Sequence, residues 1–295
     1  MMNKEENSTS ETSGLKNKII SYYDETWLEY RLIWINKQNR ALHFGYFQDG
    51  IQNHNDALVN LNQVMADKVN IGPNDKVLDA GCGQGGSAMW MAEHIGCEVV
   101  GVTIVPHQVI QAKRESLQRK IEHKTSFEVK DYCHTGFADN SFSVVWACES
   151  ICHAAQKADF YKEALRVLKP GGRLIVAEYI RNKRPFGIEE EKVLHQWCSG
   201  WSMPDLDTWE EHTTNMKLAG FTSISHEDVT TNIEPSLGRL YRVSKRLLKL
   251  GRFLHYIKIR NKVKHGNQLA SISQYEALSM KLWHYSLFSA RKPEN

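Results

Sequence analysis

The stretch Val77-Leu78-Asp79-Ala80-Gly81-Cys82-Gly83-Gln84-Gly85-Gly86 decides the fold. Lys76–Ala80 has the pattern of a short buried strand, and Gly81–Gly86 is a glycine turn opening a helix over Ser87–His94. The turn contains G-x-G-x-x-G, so dinucleotide binding has to be weighed first. Such sites want an acid at the end of the second strand, about twenty residues on, for the ribose hydroxyls. Thr103 occupies that place, and the acid is instead Asp79, two residues ahead of Gly81. A carboxylate facing the loop favours a cationic ligand over a pyrophosphate. S-adenosylmethionine, with an ammonium and a sulfonium, fits that charge.

Working outward, element types alternate. Strand-like Glu98–Val102 precedes a helix over Pro106–Arg119, proline suiting a first helical turn. A strand near Ser126–Lys130 leads into the loop 131–140. Phe142–Ala147 is a fourth strand and Asp159–Leu168 a helix, and Pro170-Gly171-Gly172 turns into a fifth strand, Arg173–Tyr179. This α/β alternation specifies a mostly parallel sheet covered on both faces. Right-handed crossovers make it doubly wound and Rossmann-like, with the ligand beyond the carboxyl ends of the central strands. Helices are expected upstream over Leu15–Asn36 and Asn55–Asn70. Downstream come a helical region over Phe186–Ala219, a strand over Thr222–Val229, one or two basic helices, and a late strand over Leu282–Ala290. A strand so late suits antiparallel insertion into the sheet.

Composition narrows the class. The 295 residues carry a formal charge of +3, unevenly spread. Residues 239–264 hold ten Lys or Arg and no acid, leaving 27 basic against 34 acidic residues elsewhere. An acidic body with one basic segment does not have the broad positive face of a nucleic-acid binder. There is no apolar run long enough for a membrane-spanning helix. The polar start reads as a disordered tail over 1–14, without the apolar core of a signal segment. Six cysteines form no C-x-x-C pair, so reduced thiols in a cytoplasmic protein, with no metal, are expected.

With these residues in view, 77–86 resembles the first motif of class I S-adenosylmethionine-dependent methyltransferases. Lys169-Pro170-Gly171-Gly172 resembles that family's turn before the fifth strand. The resemblance covers about residues 55–180, and the late strands fit the family's seven-stranded order 3-2-1-4-5-7-6. In Gly101-Val102-Thr103-Ile104-Val105-Pro106-His107-Gln108 the family's frequent acid is missing. A threonine followed five residues later by glutamine resembles the sterol, tocopherol and cyclopropane-fatty-acid branch. The resemblance implies a cofactor site of Asp79, Gly81, Gly83, Thr103 and Gln108, with Thr103 and Gln108 near the ribose and methionine portions. Asp131 would accept from the adenine amino group, and Tyr132 would lie beside the ring. The implied reaction is S-adenosylmethionine-dependent methylation of a small lipophilic, isoprenoid-like acceptor, at carbon. O- or N-methylation of a phenolic or amine natural product competes with it, as does a non-catalytic cofactor-binding regulatory subunit.

The fourth strand runs into Trp146-Ala147-Cys148-Glu149-Ser150-Ile151-Cys152-His153-Ala154, resembling the E-x-x-x-H loop of the same branch. Glu149 and His153 are placed to take the acceptor's proton. Residues 22–47 hold eight of the chain's 29 aromatics. His43-Phe44-Gly45-Tyr46-Phe47 resembles the H-x-G-[FY]-[FW] stretch that helps close the active site in that branch. Tyr23, Trp27 and Tyr46 are expected to face the acceptor, with Trp197 as the opposite wall. Such rings stabilise positive charge by about 0.5–2 kcal/mol each. The spacing of Tyr23, Trp27, Tyr30 and Trp34 also fits an ordinary buried stripe. In the basic segment, Arg239, Arg242, Arg246 and Lys249 fall on one helical stripe, with Leu240, Val243, Leu247 and Leu248 opposite. That pattern suits a solvated face, peripheral membrane contact through 239–264, or recognition of a substrate diphosphate. The expected organisation is a tail over 1–14, a helical aromatic lid over 15–54, and a methyltransferase domain over 55–295 with helical insertions at about 185–219 and 234–280. The oligomeric state stays open.

Overall fold

The computed structural model describes residues 2–34 and 39–295, excepting the side chains of 2–12 and 33. Seven strands lie in one sheet: β1 (Lys76–Ala80), β2 (Glu98–Thr103), β3 (Thr125–Val129), β4 (Phe142–Cys148), β5 (Leu168–Arg181), β6 (Thr222–Asp228) and β7 (Trp283–Arg291). Their order is β3-β2-β1-β4-β5-β7-β6. The first five strands pair in parallel, and β7 runs antiparallel to both β5 and β6. This is the expected doubly wound sheet with its late antiparallel strand.

Period-two alternation divides the core between the two faces of the sheet. Val77, Val144, Trp146, Ile175, Ala177, Tyr179 and Tyr285 pack on one face. Leu78, Val145, Ala147, Leu174, Val176 and Phe288 pack on the other. Central strands are therefore apolar at nearly every position, whereas edge strand β6 is largely exposed and polar. Asp79 shares the parity of Val77, so a carboxylate sits inside the first face.

Helices α1 (Met2–Ile33) and α2 (His54–Lys68) precede the sheet. Residues 2–14, expected as a tail, are helical; that stretch has no Gly or Pro before Gly14, and Glu5 and Glu6 suit a helix N-terminus. The expected end of this helix at Asn36 lies outside the described residues. Helix α3 (Gly86–Trp90) passes into a wider π turn, Met91–Ile95, because the Gly96 N–H reaches back to the Met91 carbonyl at 3.0 Å. Helices α4 (Pro106–Gln118) and α5 (Lys157–Val167) lie close to their expected bounds. The fifth strand is longer than expected: it takes in Pro170-Gly171-Gly172, with a register shift against β4 between Phe142 and Val144.

The helical region after β5 divides into α6 (Ile188–Gly200) and α7 (Trp209–Ala219). Between them Pro204 cannot extend a helix, and Ser202 takes left-handed backbone at φ 55°. The basic segment belongs to α8 (Thr230–Arg246), α9 (Leu248–Tyr256) and the start of α10 (Lys262–Ser279). The expected single basic stripe is broken at Leu247, which places Lys249 on a different helix from Arg239, Arg242 and Arg246. Helix α10 packs against α6, α8 and α1, so the insertion meets the N-terminal helix above the sheet.

Candidate active site

The carboxyl ends of β1 to β4 open into a cavity of about 360 Å³, bounded by α1, α8 and α10. Its floor is the glycine turn. Gly81 and Gly85 adopt φ of 95° and 80°, conformations that disfavour any side chain. A Cβ on Gly81 would stand 2.3 Å from the Ser150 Cβ, and one on Gly85 would stand 2.7 Å from the Phe127 ring. Ser150 in turn donates to the Ala80 carbonyl at 2.6 Å, fastening the loop after β4 to the end of β1.

Asp79 lines this cavity and is buried, its Oδ2 having no protein partner among the described residues. Burial pushes its carboxyl up to about 7. An orphaned carboxylate oxygen beside a backbone that leaves room for a ligand fits the ammonium end of S-adenosylmethionine. Gly81, Gly83, Thr103, Gln108, Asp131 and Tyr132 line the same cavity. Thr103 donates to the Gln108 Oε1 at 2.8 Å, so the two form one unit at the end of β2. Asp131 is already engaged: Oδ1 accepts the Cys133 N–H at 2.8 Å, and Oδ2 lies 2.7 Å from the Lys16 ammonium of α1. Tyr132 donates to the Ser150 carbonyl at 2.8 Å, which fixes its ring.

Glu149 follows β4 with left-handed backbone, φ 49°. For a residue other than glycine this costs on the order of 1–3 kcal/mol, a strain that clusters at functional sites. Its Oε1 accepts the Phe44 N–H at 2.7 Å and the Tyr285 hydroxyl at 2.8 Å, and its Oε2 accepts the Tyr179 hydroxyl. Tyr179 and Tyr285 are direct cross-strand partners of β5 and β7. Burial raises the Glu149 carboxyl to about 7, and the three donors restrain the rise. His153 is held neutral, burial lowering it to about 4. Its Nδ1 faces the Ser202 carbonyl at 3.4 Å, which leaves Nε2 to accept from the Tyr23 hydroxyl at 3.1 Å. Buried Glu178 anchors the same loop, accepting the Cys152 N–H at 2.9 Å and the Tyr179 N–H at 2.9 Å.

The aromatic surroundings differ from those expected. Tyr23 lines the cavity, as do Tyr30, Trp34, Phe44, Tyr179 and Trp201. Trp27, Tyr46 and Trp197 do not. Trp27 lies against His107, with ring centroids 5.7 Å apart, because it faces α4 rather than the acceptor space. Tyr46 is fastened to α2: its N–H donates to the Ala57 carbonyl at 2.8 Å and its carbonyl accepts from Asn60 at 2.9 Å. Trp197 is wholly buried in a cluster with Tyr179, Trp201 and Trp283. Spacing identified the aromatic-rich segment but could not say which rings the core would take.

Sequence reasoning missed Tyr285, Lys16, and the pair of Glu29 with Arg260, which also line or support the cavity. Tyr285 becomes visible once β7 is placed beside β5, since the antiparallel register sets it opposite Tyr179. Lys16 and Glu29 had no local signal, because their partners come from distant elements.

A family model described as a methyltransferase domain matches residues 78–176. The chain is 32% identical over 197 residues to 27-O-demethylrifamycin SV methyltransferase of Amycolatopsis mediterranei, covering 66% of this chain and 71% of that protein. It is 28% identical over 247 residues to a sterol 24-C-methyltransferase of Schizosaccharomyces pombe, covering 83% of this chain and 64% of that protein. The structure of a cyclopropane synthase from Mycobacterium tuberculosis shares the fold, with a TM-score of 0.80 at 15% identity over 94% of this chain and 98% of that one. The chain therefore belongs to the class I S-adenosylmethionine-dependent methyltransferases. It is an enzyme of that family, similar in sequence to sterol 24-C-methyltransferase, and its cofactor is S-adenosylmethionine.

Proposed function

We propose that this methyltransferase acts on a small lipophilic, isoprenoid-like acceptor, transfers the methyl group to carbon, and uses Glu149 as proton acceptor. The observation that carries the proposal is the environment of Glu149: a carboxylate without a cationic partner among the described residues, set among the rings of Phe44, Tyr179 and Tyr285. Asp79 would hold the ammonium of the cofactor, with Thr103 and Gln108 along its ribose and methionine portions and Asp131 and Tyr132 at its adenine. Bound there, S-adenosylmethionine supplies an electrophilic methyl. An acceptor carbon taking that methyl would form its new carbon–carbon bond as the sulfur–methyl bond broke, which would leave the acceptor with a positive charge. Glu149 then removes a proton and neutralises that charge, and neutral His153, whose Nε2 accepts from the Tyr23 hydroxyl, is the second group able to take a proton. The surrounding rings favour a cation and exclude water.

A second reading, methylation at oxygen, is favoured by the likeness to 27-O-demethylrifamycin SV methyltransferase. There Glu149 or His153 would take the hydroxyl proton. Incubating the enzyme with 13C-methyl-labelled cofactor and a cell lipid extract, then recording the carbon shift of the product, tests the proposal. A methyl signal in the aliphatic carbon range is expected; a methoxy shift gives the second reading, and label confined to the water-soluble fraction overturns both.

Peripheral membrane contact is part of the proposal. On α9 and the residues after it, Leu250, Phe253, Tyr256, Ile257 and Ile259 are exposed between Lys249, Arg252 and Lys258. Neighbouring Leu247 is both exposed and part of the cavity wall. An apolar, basic surface at the cavity mouth suits an anionic bilayer carrying the acceptor. No described helix is long and apolar enough to cross a membrane.

A further inference from the structure

We infer that the acceptor is uncharged, because an ion pair at the insertion end of the cavity, Glu29 with Arg260, selects a neutral lipophile bearing a hydrogen-bonding end group against a diphosphate or a carboxylate. The inference rests on the lipophilic acceptor proposed above and assigns its charge class.

Among the described residues, the Lys and Arg side chains lining the cavity are Lys16, Arg40 and Arg260. Each meets a carboxylate. Lys16 lies 2.7 Å from Asp131, Arg40 pairs with Glu115, and the Arg260 Nη2 lies 2.7 Å from the Glu29 Oε1. His43 and His153 are kept neutral by burial, and His134 at the rim lies 3.8 Å from Asp131. Asp79 and Glu149 line the same space with no cationic partner among the described residues. Among the described residues, the wall thus offers no uncompensated positive charge. Of the ten basic residues in 239–264, Arg260 alone contributes to it among the described lining residues. Nor does any described cluster of His, Cys, Asp or Glu have the arrangement to hold a bridging metal ion.

Arg260 is fixed where it stands. Nη1 donates to the Gln268 Oε1 at 2.9 Å, and Nη2 to the Lys264 carbonyl at 2.5 Å. Glu29 is held from its other oxygen, Oε2, by the Asn267 amide at 3.0 Å. A diphosphate seated here would bury its charge beside Glu29, a like-charge contact poorly screened away from water. A hydroxyl or carbonyl oxygen makes no such demand. The Ser271 hydroxyl, which lines the same cavity and donates to the Asn267 carbonyl at 3.0 Å, can accept from an alcohol there without breaking the pair. Because α1 supplies Glu29 and the insertion supplies Arg260, discrimination is built in the same contact that joins the N-terminal helix to the cavity wall.

The test is isothermal titration of the full chain, saturated with S-adenosylhomocysteine, against farnesol and farnesyl diphosphate. Wild type is expected to bind the alcohol at least about tenfold more tightly than the diphosphate. Glu29→Gln is expected to shift that ratio about tenfold or more toward the diphosphate, with unchanged S-adenosylhomocysteine affinity reporting an intact fold. Equal or tighter binding of the diphosphate by wild type overturns the inference, and this ratio decides the charge class even where the variant fails to fold. A folded Glu29→Gln with an unmoved ratio overturns the assignment to this pair. Binding of S-adenosylhomocysteine with neither prenyl compound bound removes the isoprenoid reading itself, and the inference with it.

Discussion

Glu149 is a carboxylate whose proton affinity is set by two opposed effects, and each can be altered alone. Burial raises its pKa to about 7, while hydrogen bonds from Tyr179, Phe44 and Tyr285 pull it down. Removing one donor destabilises the charged form. Tyr285→Phe is therefore expected to move the acidic limb of kcat, measured at saturating cofactor, upward by roughly one pH unit. Saturating cofactor matters because Asp79 also titrates near 7 in the free protein. A limb that stays in place would show that Glu149 does not carry the titration. At the glycine turn, Gly85→Ala adds a Cβ 2.7 Å from Phe127 at positive φ. It is expected to cost about 1–3 kcal/mol in denaturant unfolding and to weaken cofactor binding. Much at this scale was legible in the sequence: Asp79, Glu149 and His153 end or follow strands, where the topology puts a ligand. Tyr285 was not, because its place depends on the register of a strand more than a hundred residues away from its partner.

At the scale of elements, strand order and alternation were legible because central strands are apolar on both faces and glycine turns mark their ends. Helix boundaries in the insertions were harder to read, since Pro204 and Leu247 break patterns that periodicity alone would run together. The aromatic residues show the same limit. Trp197, expected to face the acceptor, is instead the centre of a cluster that joins α6 to β5 and β7. Its replacement should act on stability: Trp197→Ala is expected to lose about 3–5 kcal/mol in equilibrium unfolding. Trp197→Phe should keep the acceptor KM while lowering the melting temperature; a raised KM with unchanged stability would return Trp197 to the acceptor wall.

For the whole molecule, stability should depend on pH in a window fixed by buried groups. Asp79 and Glu149 are raised to about 7 and Glu178 to about 8, each chiefly by burial. A carboxyl whose folded pKa lies above its unfolded value contributes stability at low pH that is lost as pH rises through the folded value. His43, His54 and His153 are lowered to about 4 and His212 to about 3, so their stability is present above the unfolded value and lost as pH falls. The two sets oppose each other up to about one pH unit above the unfolded histidine value of about 6.5, where the histidine gain is nearly complete while the carboxyl loss continues through about 7 to 8. The cofactor-free protein is therefore expected to melt at lower temperature at about pH 8 than at about pH 6.5. A melting temperature that holds or rises over that interval would contradict the burial of these carboxyls. The charge map resolves in the same way: a net +3 is an acidic body carrying a basic, partly apolar α9 beside the cavity mouth. The segment was legible as charge, but its exposed Phe253 and Tyr256 became apparent only in three dimensions. The central claim, methyl transfer to a lipophile with Glu149 taking the proton, is tested most directly by one comparison. Label transfer from methyl-labelled cofactor into extracted lipid is measured for wild type and Glu149→Gln, with cofactor affinity checked in both. The account expects Glu149→Gln to bind cofactor normally and transfer label roughly 10²–10⁴-fold more slowly. Transfer at the wild-type rate by Glu149→Gln would contradict it.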